Sequence, residues 1–177
     1  GNIVITDGNI TINSQQDCIQ GEVITNISGG TFDLTAYGGS PAEASDRNPE
    51  AANSCKGIKA GKLLNISGGT FNIDTYDDAL HSNHTARISG GNITAATGDD
   101  GVHADSYLYI TDDANINITK SYEGIEAAKL YVQGGETRIV SSDDGANAAG
   151  EEPTDSAYTL ETAVLSEADL TSDDRAE

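Results

Sequence analysis

The chain has 177 residues, with nine Lys and Arg against 29 Asp and Glu, for a formal charge of −20. Such a charge repels nucleic acid and anionic membrane, so neither is expected as a partner, and no apolar run approaches the ~20 residues of a membrane span. With no Trp, no Met and two Phe among 20 glycines, any core must be built from Ile, Leu, Val and Ala.

Taken in order, the chain opens with Ile3, Ile5, Ile10 and Ile12, turns at Asp7-Gly8, and reaches Gln16-Asp17-Cys18-Ile19-Gln20. A second unit, Glu22 to Leu34 with Gly29-Gly30, is interrupted by a polar stretch from Tyr37 to Ser54 that contains Gly38-Gly39-Ser40-Pro41 and Asn48-Pro49. This stretch reads as a loop inserted at a turn, since removing about 17 residues restores the period from Ile19 to Ile58. Regular units then run to Gly150. Leu64, Ile66, Gly68-Gly69, Phe71 and Ile73 are followed by Ile88, Gly90-Gly91, Ile93 and Ala95, then by Leu108, Ile110, Ile116 and Ile118, then by Leu130, Val132, Gly134-Gly135 and Ile139. Within each unit the apolar positions alternate, which is the period of a strand. Leu80, Val102, Ile125 and Ala146 mark the register, at spacings of 22, 23 and 21 residues.

Three short strands per ~22 residues predict an all-β fold, a parallel β-helix of about six rungs. The usual handedness of parallel crossovers makes it a right-handed one. Residues 1–150 form the helix with the insertion at 37–54. Residues 151–177 form an acidic tail with one apolar patch, Tyr158 to Leu165, expected to serve as a cap or as an inter-subunit segment. A chain that starts at Gly1 fits a processed export product, so a secreted, extracellular or cell-surface location is expected. In that setting the two cysteines, Cys18 and Cys55, which fall in adjacent rungs at one corner, are expected to form a disulfide across the base of the insertion.

The acidic segment carries most of the chemistry. Asp78, Asp100, Glu123 and Asp144 fall in one column, and Asp77, Asp99 and Asp143 in a second beside it. Carboxylates stacked at every rung need cations, hydrogen bonds or raised pKa values. Oxygen donors in carbonyl-rich turns suit Ca2+, for which Asp99, Asp100, Asp105, Glu123 and Glu126 form the central candidate cluster, with Asp77-Asp78 and Asp143-Asp144 as neighbours. His81 and His103 share an outward column with Gln20, Lys59, Glu126 and Asn147. That variety reads as an ordinary exposed position, against the alternatives of a metal ligand or a general base. Tyr109 and Tyr131 share another outward column, after Asn65 and Arg87, and two tyrosines on successive rungs are candidates for stacking on sugar rings. Asn9, Asn26, Asn65, Asn83, Asn92 and Asn117 begin Asn-x-Ser/Thr sequons, which the recurring Asn and Thr of the rungs account for.

Ile88-Ser89-Gly90-Gly91-Asn92-Ile93-Thr94, Gly98 to Asp105, Lys120 to Glu126 and Ser141 to Ala149, taken in succession, resemble a family of secreted bacterial carbohydrate-binding domains. The resemblance runs from about Lys62 to Gly150. It implies a right-handed β-helix similar to that of pectate lyases, calcium binding at Asp99, Asp100, Glu123, Asp143 and Asp144, and attachment to cellulose or acidic pectic polysaccharide. The chain departs from the family in ending soon after Ala149 and in its acidic tail.

Three functions compete on these grounds. One is a non-catalytic polysaccharide-binding module. Another is a structural subunit that self-associates through open rung edges into an extracellular filament. The last is a lyase or hydrolase, with Lys120 or Arg87 as base, or with Asp99, Asp100 and His103 as acid and base. A motif present in several rungs argues against the enzyme, which needs its site once.

Overall fold

The computed structural model describes residues 1–44 and 54–163. Part of the insertion and the tail beyond Ala163, including Val164 and Leu165, lie outside the described residues. Within them the chain forms fourteen strands: β1 (Ile3–Ile5), β2 (Asn9–Ser14), β3 (Ile19–Gly21), β4 (Ile24–Ile27), β5 (Thr31–Ala36), β6 (Ile58–Ala60), β7 (Leu63–Thr75), β8 (Leu80–Ser82), β9 (Thr85–Thr97), β10 (Val102–Ile110), β11 (Asn115–Lys120), β12 (Ile125–Val132), β13 (Glu136–Ile139) and β14 (Ala146–Asn147). Every strand pairing is parallel. Strands from successive repeats stack, so the molecule is a β-solenoid of about six turns.

The register follows the sequence period. Ile19 pairs with Ile58 across the insertion, Ile58 with Leu80, Leu80 with Val102, Val102 with Ile125, and Ile125 with Ala146. Inward residues thus meet an apolar partner one rung away, and Phe32 and Phe71 stack with ring centroids 4.5 Å apart and planes 6° from parallel. Ile27, Leu34, Ile58, Leu64, Ile66, Leu80, Ile88 and Leu108 are fully buried along the same axis. Several rungs turn a corner at a glycine pair because neither position has room for a side chain. Gly69 and Gly91 have φ of 107° and 93°. A Cβ on Gly68 or Gly90 would lie 2.5 Å from the Ser28 or Ser67 carbonyl oxygen of the preceding rung. Outward amides form ladders of their own, with Asn65 Nδ2 donating to Asn26 Oδ1 at 2.8 Å and Asn115 Nδ2 to Asn92 Oδ1 at 3.1 Å.

One column breaks the inside-outside alternation. Ile24, Leu63, Thr85 and Tyr107 stand in register on the outer side of the wall, beside the inward Leu64, Ala86 and Leu108, yet all are buried or nearly so. The tail covers them. Tyr158 and Ala163 pack on Ile24 and Leu63. Tyr158 N donates to Thr85 Oγ1 at 3.0 Å, Arg87 Nε to the Tyr158 carbonyl at 2.8 Å, and Tyr107 Oη to the Asp155 carbonyl at 2.8 Å. Lys129 pairs with Glu152. Residues 151–163 therefore run down the flank of the solenoid across several rungs. The insertion also lies along the wall, where Lys120 Nζ donates to the Pro41 carbonyl at 2.6 Å and Ser142 Oγ to that of Ala44 at 3.3 Å. Among the described residues no helix is long and apolar enough to cross a membrane.

Cys18 and Cys55, expected to form a disulfide, are both thiols. They do share a corner, since Cys18 N donates to the Lys56 carbonyl at 2.9 Å. Instead of each other's sulfur, Cys18 Sγ has Ser14 Oγ at 3.3 Å and Cys55 Sγ donates to the Gln15 carbonyl at 3.5 Å. Burial pushes both thiols up, and the charges of Asp17 and, for Cys55, Asp77 add to it. The thiolate needed to start disulfide exchange is thereby disfavoured.

His84 makes tail docking sensitive to acid. Its ring meets Tyr158 edge-on at 4.7 Å and Tyr107 at 5.7 Å, and its Nδ1 lies 2.8 Å from Thr85 Oγ1. Burial holds its pKa below the ordinary 6.5, with Lys62 acting in the same sense and Asp155 and Asp105 opposing. A base with a depressed folded-state pKa contributes its stability above the unfolded value and loses it as pH falls through the folded one. Limited proteolysis is expected to cut residues 151–163 faster at pH 5 than at pH 7.5, and His84→Phe to flatten that difference.

Candidate functional site

The corner between the second and third strands of each rung sets the site. The strands of β6, β8, β10, β12 and β14 start at equivalent points, so the residue two positions before each start falls in one column: Lys56, Asp78, Asp100, Glu123 and Asp144. The residue one position after each start falls in another: Lys59, His81, His103, Glu126 and Asn147. Lys56, Asp78, Asp100 and Glu123 of the first column and His81, His103 and Glu126 of the second line a single cleft of about 410 Å³, and Asp99 and Tyr122 close its side. Buried hydroxyls hold the corners, Thr75 Oγ1 donating to the Asp77 carbonyl at 2.8 Å and Thr97 Oγ1 to the same oxygen.

Of the predicted metal-site residues, the structure brings Asp77, Asp78, Asp99, Asp100, Asp105, Glu123 and Glu126 to the cleft or its edge. Asp143 and Asp144 are exposed and belong to no group of converging donors among the described residues. Three groups have donor atoms within 4.8 Å of one another: Asp77, Asp78 and Asp99; Asp78, His81 and His103; and Asp100, His103 and Glu126.

Lys56 sits in the first of these groups. Its Nζ lies 2.7 Å from Asp77 Oδ1 and 2.9 Å from Asp78 Oδ2, and its own side chain is only 12% exposed. Burial opposes its charge, but Asp78 and Asp77 outweigh that and raise its pKa. Burial likewise works against the charged form of Asp78, yet the hydrogen bond from His81 and the Lys56 charge hold it well below the usual carboxylate range. Asp99, with burial and the charges of Asp78, Asp100 and Asp77 against it, is pushed up to about 8.

The histidines depart from the reading of an ordinary exposed column. His81 and His103 stack on each other, centroids 5.0 Å apart and 16° from parallel, with side chains 12% and 25% exposed. His81 Nδ1 lies 2.8 Å from Asp78 Oδ2 and His103 Nδ1 2.9 Å from Asp100 Oδ2. Burial disfavours the His103 cation, but hydrogen bonds to Asp100 and Asp105 overcome it and push its pKa up to about 11. Asp105 is lowered in turn by that hydrogen bond. Burial and a hydrogen bond with Glu123 push Glu126 up to about 8, and burial raises Asp100. Asn147 Nδ2 donates to both Glu123 oxygens, at 2.9 and 3.0 Å.

Neither basic residue considered for catalysis reaches this cleft. Lys120 is held by the insertion, and Arg87 stacks over the Tyr109 ring, 4.2 Å from its centroid. The tyrosines form a ladder. Tyr109 and Tyr131 are stacked 4.8 Å apart and 9° from parallel, so Tyr109 has Arg87 on one face and Tyr131 on the other. Tyr131 is 39% exposed and has its outer face clear of Tyr109.

The protein is of the parallel β-solenoid class, with a donor-lined cleft and an aromatic ladder on its walls. The carbohydrate-binding domain-containing protein family matches residues 1–101, over half of the chain, and the chain belongs to it. The match includes Asp77, Asp78, His81, Asp99 and Asp100, whereas Glu123, Glu126, Tyr109 and Tyr131 lie beyond it. No curated protein and no solved structure matches significantly.

Because Lys56 is the built-in counter-ion of two carboxylates, Lys56→Met leaves a buried charge uncompensated and is expected to cost about 3–5 kcal/mol. Urea denaturation measures it. Millimolar Ca2+ is expected to restore part of the loss, since a divalent ion can take the vacated place among the Asp77, Asp78 and Asp99 oxygens.

Proposed function

We propose that this protein is a non-catalytic, extracellular polysaccharide-binding β-helix that attaches to cellulose or acidic pectin-like glycans at a cell surface or in a secreted matrix. Membership of the carbohydrate-binding family carries the reading. The Arg87–Tyr109–Tyr131 column supports it, because a cation and the free Tyr131 ring on a flat wall suit a uronate and an adjoining sugar face. Retention on a polysaccharide affinity gel is expected to fall about tenfold in Tyr131→Ala and in Arg87→Ala, and less in Tyr109→Ala, whose faces are already occupied. Equal retention of all three variants and the wild type would rule this column out.

Ca2+ completes the proposal as a stabilising ion that takes the place of the Lys56 ammonium among the Asp77, Asp78 and Asp99 oxygens. A second reading, end-to-end assembly into a filament, draws on the terminal rungs. There β1, β2 and β3 at one end and β13 and β14 at the other each pair on one side only among the described residues. Melting temperature and light scattering, recorded in millimolar Ca2+, after chelation and after adding Ca2+ back, test both. A melting temperature that ignores the ion refutes the calcium role, and discrete monomers throughout refute the filament.

A further inference from the structure

The acidic cleft holds two imidazoles whose placement an oxygen-only calcium site does not require. Their outer nitrogens are both engaged by acceptors: His81 Nε2 lies 2.9 Å from Asn83 Oδ1, and His103 Nε2 lies 3.3 Å from Asp105 Oδ1. An acceptor on Nε2 keeps that nitrogen an N–H donor when an incoming ion displaces the proton shared between Nδ1 and its carboxylate, and so turns the Nδ1 lone pair toward the ion. This is how outer-shell partners orient metal-ligating histidines. Facing Nδ1 are carboxylate oxygens: Asp78 Oδ2 at 2.8 Å from His81, Asp100 Oδ2 at 2.9 Å and Glu126 Oε2 at 3.6 Å from His103.

These separations bracket the distance between neighbouring ligand atoms around a tetrahedral ion with ~2.0 Å bonds, which is about 3.3 Å. The donors also come from successive rungs of a stacked wall, so their spacing is fixed by the fold. We propose that Asp78, His81 and His103, whose donor atoms lie within 4.8 Å of one another, form a binding site for a borderline first-row transition-metal ion of the Zn2+ class, with Asp100 and Glu126 beside it and Asn83 and Asp105 as outer-shell partners. Imidazole nitrogen is a ligand that Zn2+ and Co2+ prefer and Ca2+ does not. The site is thus chemically distinct from the Asp77–Asp78–Asp99 group, although Asp78 edges both. Asp78 Oδ1 accepts from Asp100 N at 3.0 Å, and Lys56 Nζ lies 2.9 Å from the same Oδ2 that faces His81; together they fix the carboxylate in place as outer-shell partners do. The inference is independent of the polysaccharide reading.

The test is Co2+ titration of the whole protein followed by visible absorption, with Zn2+ competition giving the affinity. The expected result is one ion per chain, ligand-field bands of a four-coordinate nitrogen and oxygen site, displacement by Zn2+ and no displacement by millimolar Ca2+. His103→Gln is expected to weaken binding more than a hundredfold. Asn83→Ala, which removes only an outer-shell acceptor, is expected to weaken it about ten- to a hundredfold. Asp143→Asn, outside the cleft, is expected to leave it unchanged. Absence of binding at micromolar metal, displacement of Co2+ by Ca2+, or equal losses in Asp143→Asn and His103→Gln would each overturn the proposal. Circular dichroism separates loss of the site from loss of the fold. Should His103→Gln fail to fold, Asn83→Ala decides alone, an unchanged affinity refuting the site.

Discussion

The spacing of ~4.8 Å between successive rungs is the constraint on which the rest of this molecule depends. It brings every side chain within contact of its counterpart one repeat away, so each column of the sequence becomes a physical stack. For apolar, aromatic and amide side chains, like on like is favourable, as in the Phe32–Phe71 pair and the Asn26–Asn65 amide ladder. For carboxylates it is not, and the acidic columns had to be reconciled with the same geometry.

The reconciliation uses three devices at once. Lys56 supplies a cation in the acidic column itself, and His103, its pKa pushed up to about 11, adds a cationic partner in the neighbouring one. Backbone and side-chain donors help, with Asp100 N donating to Asp78 Oδ1 at 3.0 Å and Asn147 bridging both oxygens of Glu123. Where neither suffices, the proton stays on, as the raised pKa values of Asp99 and Glu126 indicate. The cleft is a compensated array in which negative charge is held in place without the whole column being ionised. At its open end the compensation is no longer needed: Asp143 and Asp144 stand in water, where solvent screens them.

Much of this was legible in the sequence because a solenoid writes its contacts at a fixed period. The rung register, the acidic column and the tyrosine pair all follow from counting about 22 residues. Lys56 obeys the same count, two positions before Ile58 as Asp78 is before Leu80, but the insertion that precedes it hides the repeat. The histidines were visible as a column, and their role was not, because Gln20, Lys59 and Asn147 share it and only three-dimensional convergence with Asp78 and Asp100 separates them. A disulfide was inferred from cysteine count and a shared corner, yet a corner fixes only proximity, and each sulfur has an oxygen partner of its own. The flank also left a trace: Val23-Ile24 and Leu63-Leu64 place two apolar residues in succession where a half-exposed strand alternates. Ile24 and Leu63, with Val23 beside them, had to find cover outside the coil, and Tyr158 and Ala163 in the tail provide it.

That strap changes the way the molecule comes apart. In a bare solenoid each repeat touches only its neighbours, so the stack frays from its ends, one rung at a time. Here a single segment is fastened at Ile24 and Leu63, at Thr85 and Arg87, at Tyr107 and at Lys129. Peeling a rung from the strapped wall therefore also breaks contacts made by others, and a nearest-neighbour array gains the all-or-none character of a globular domain.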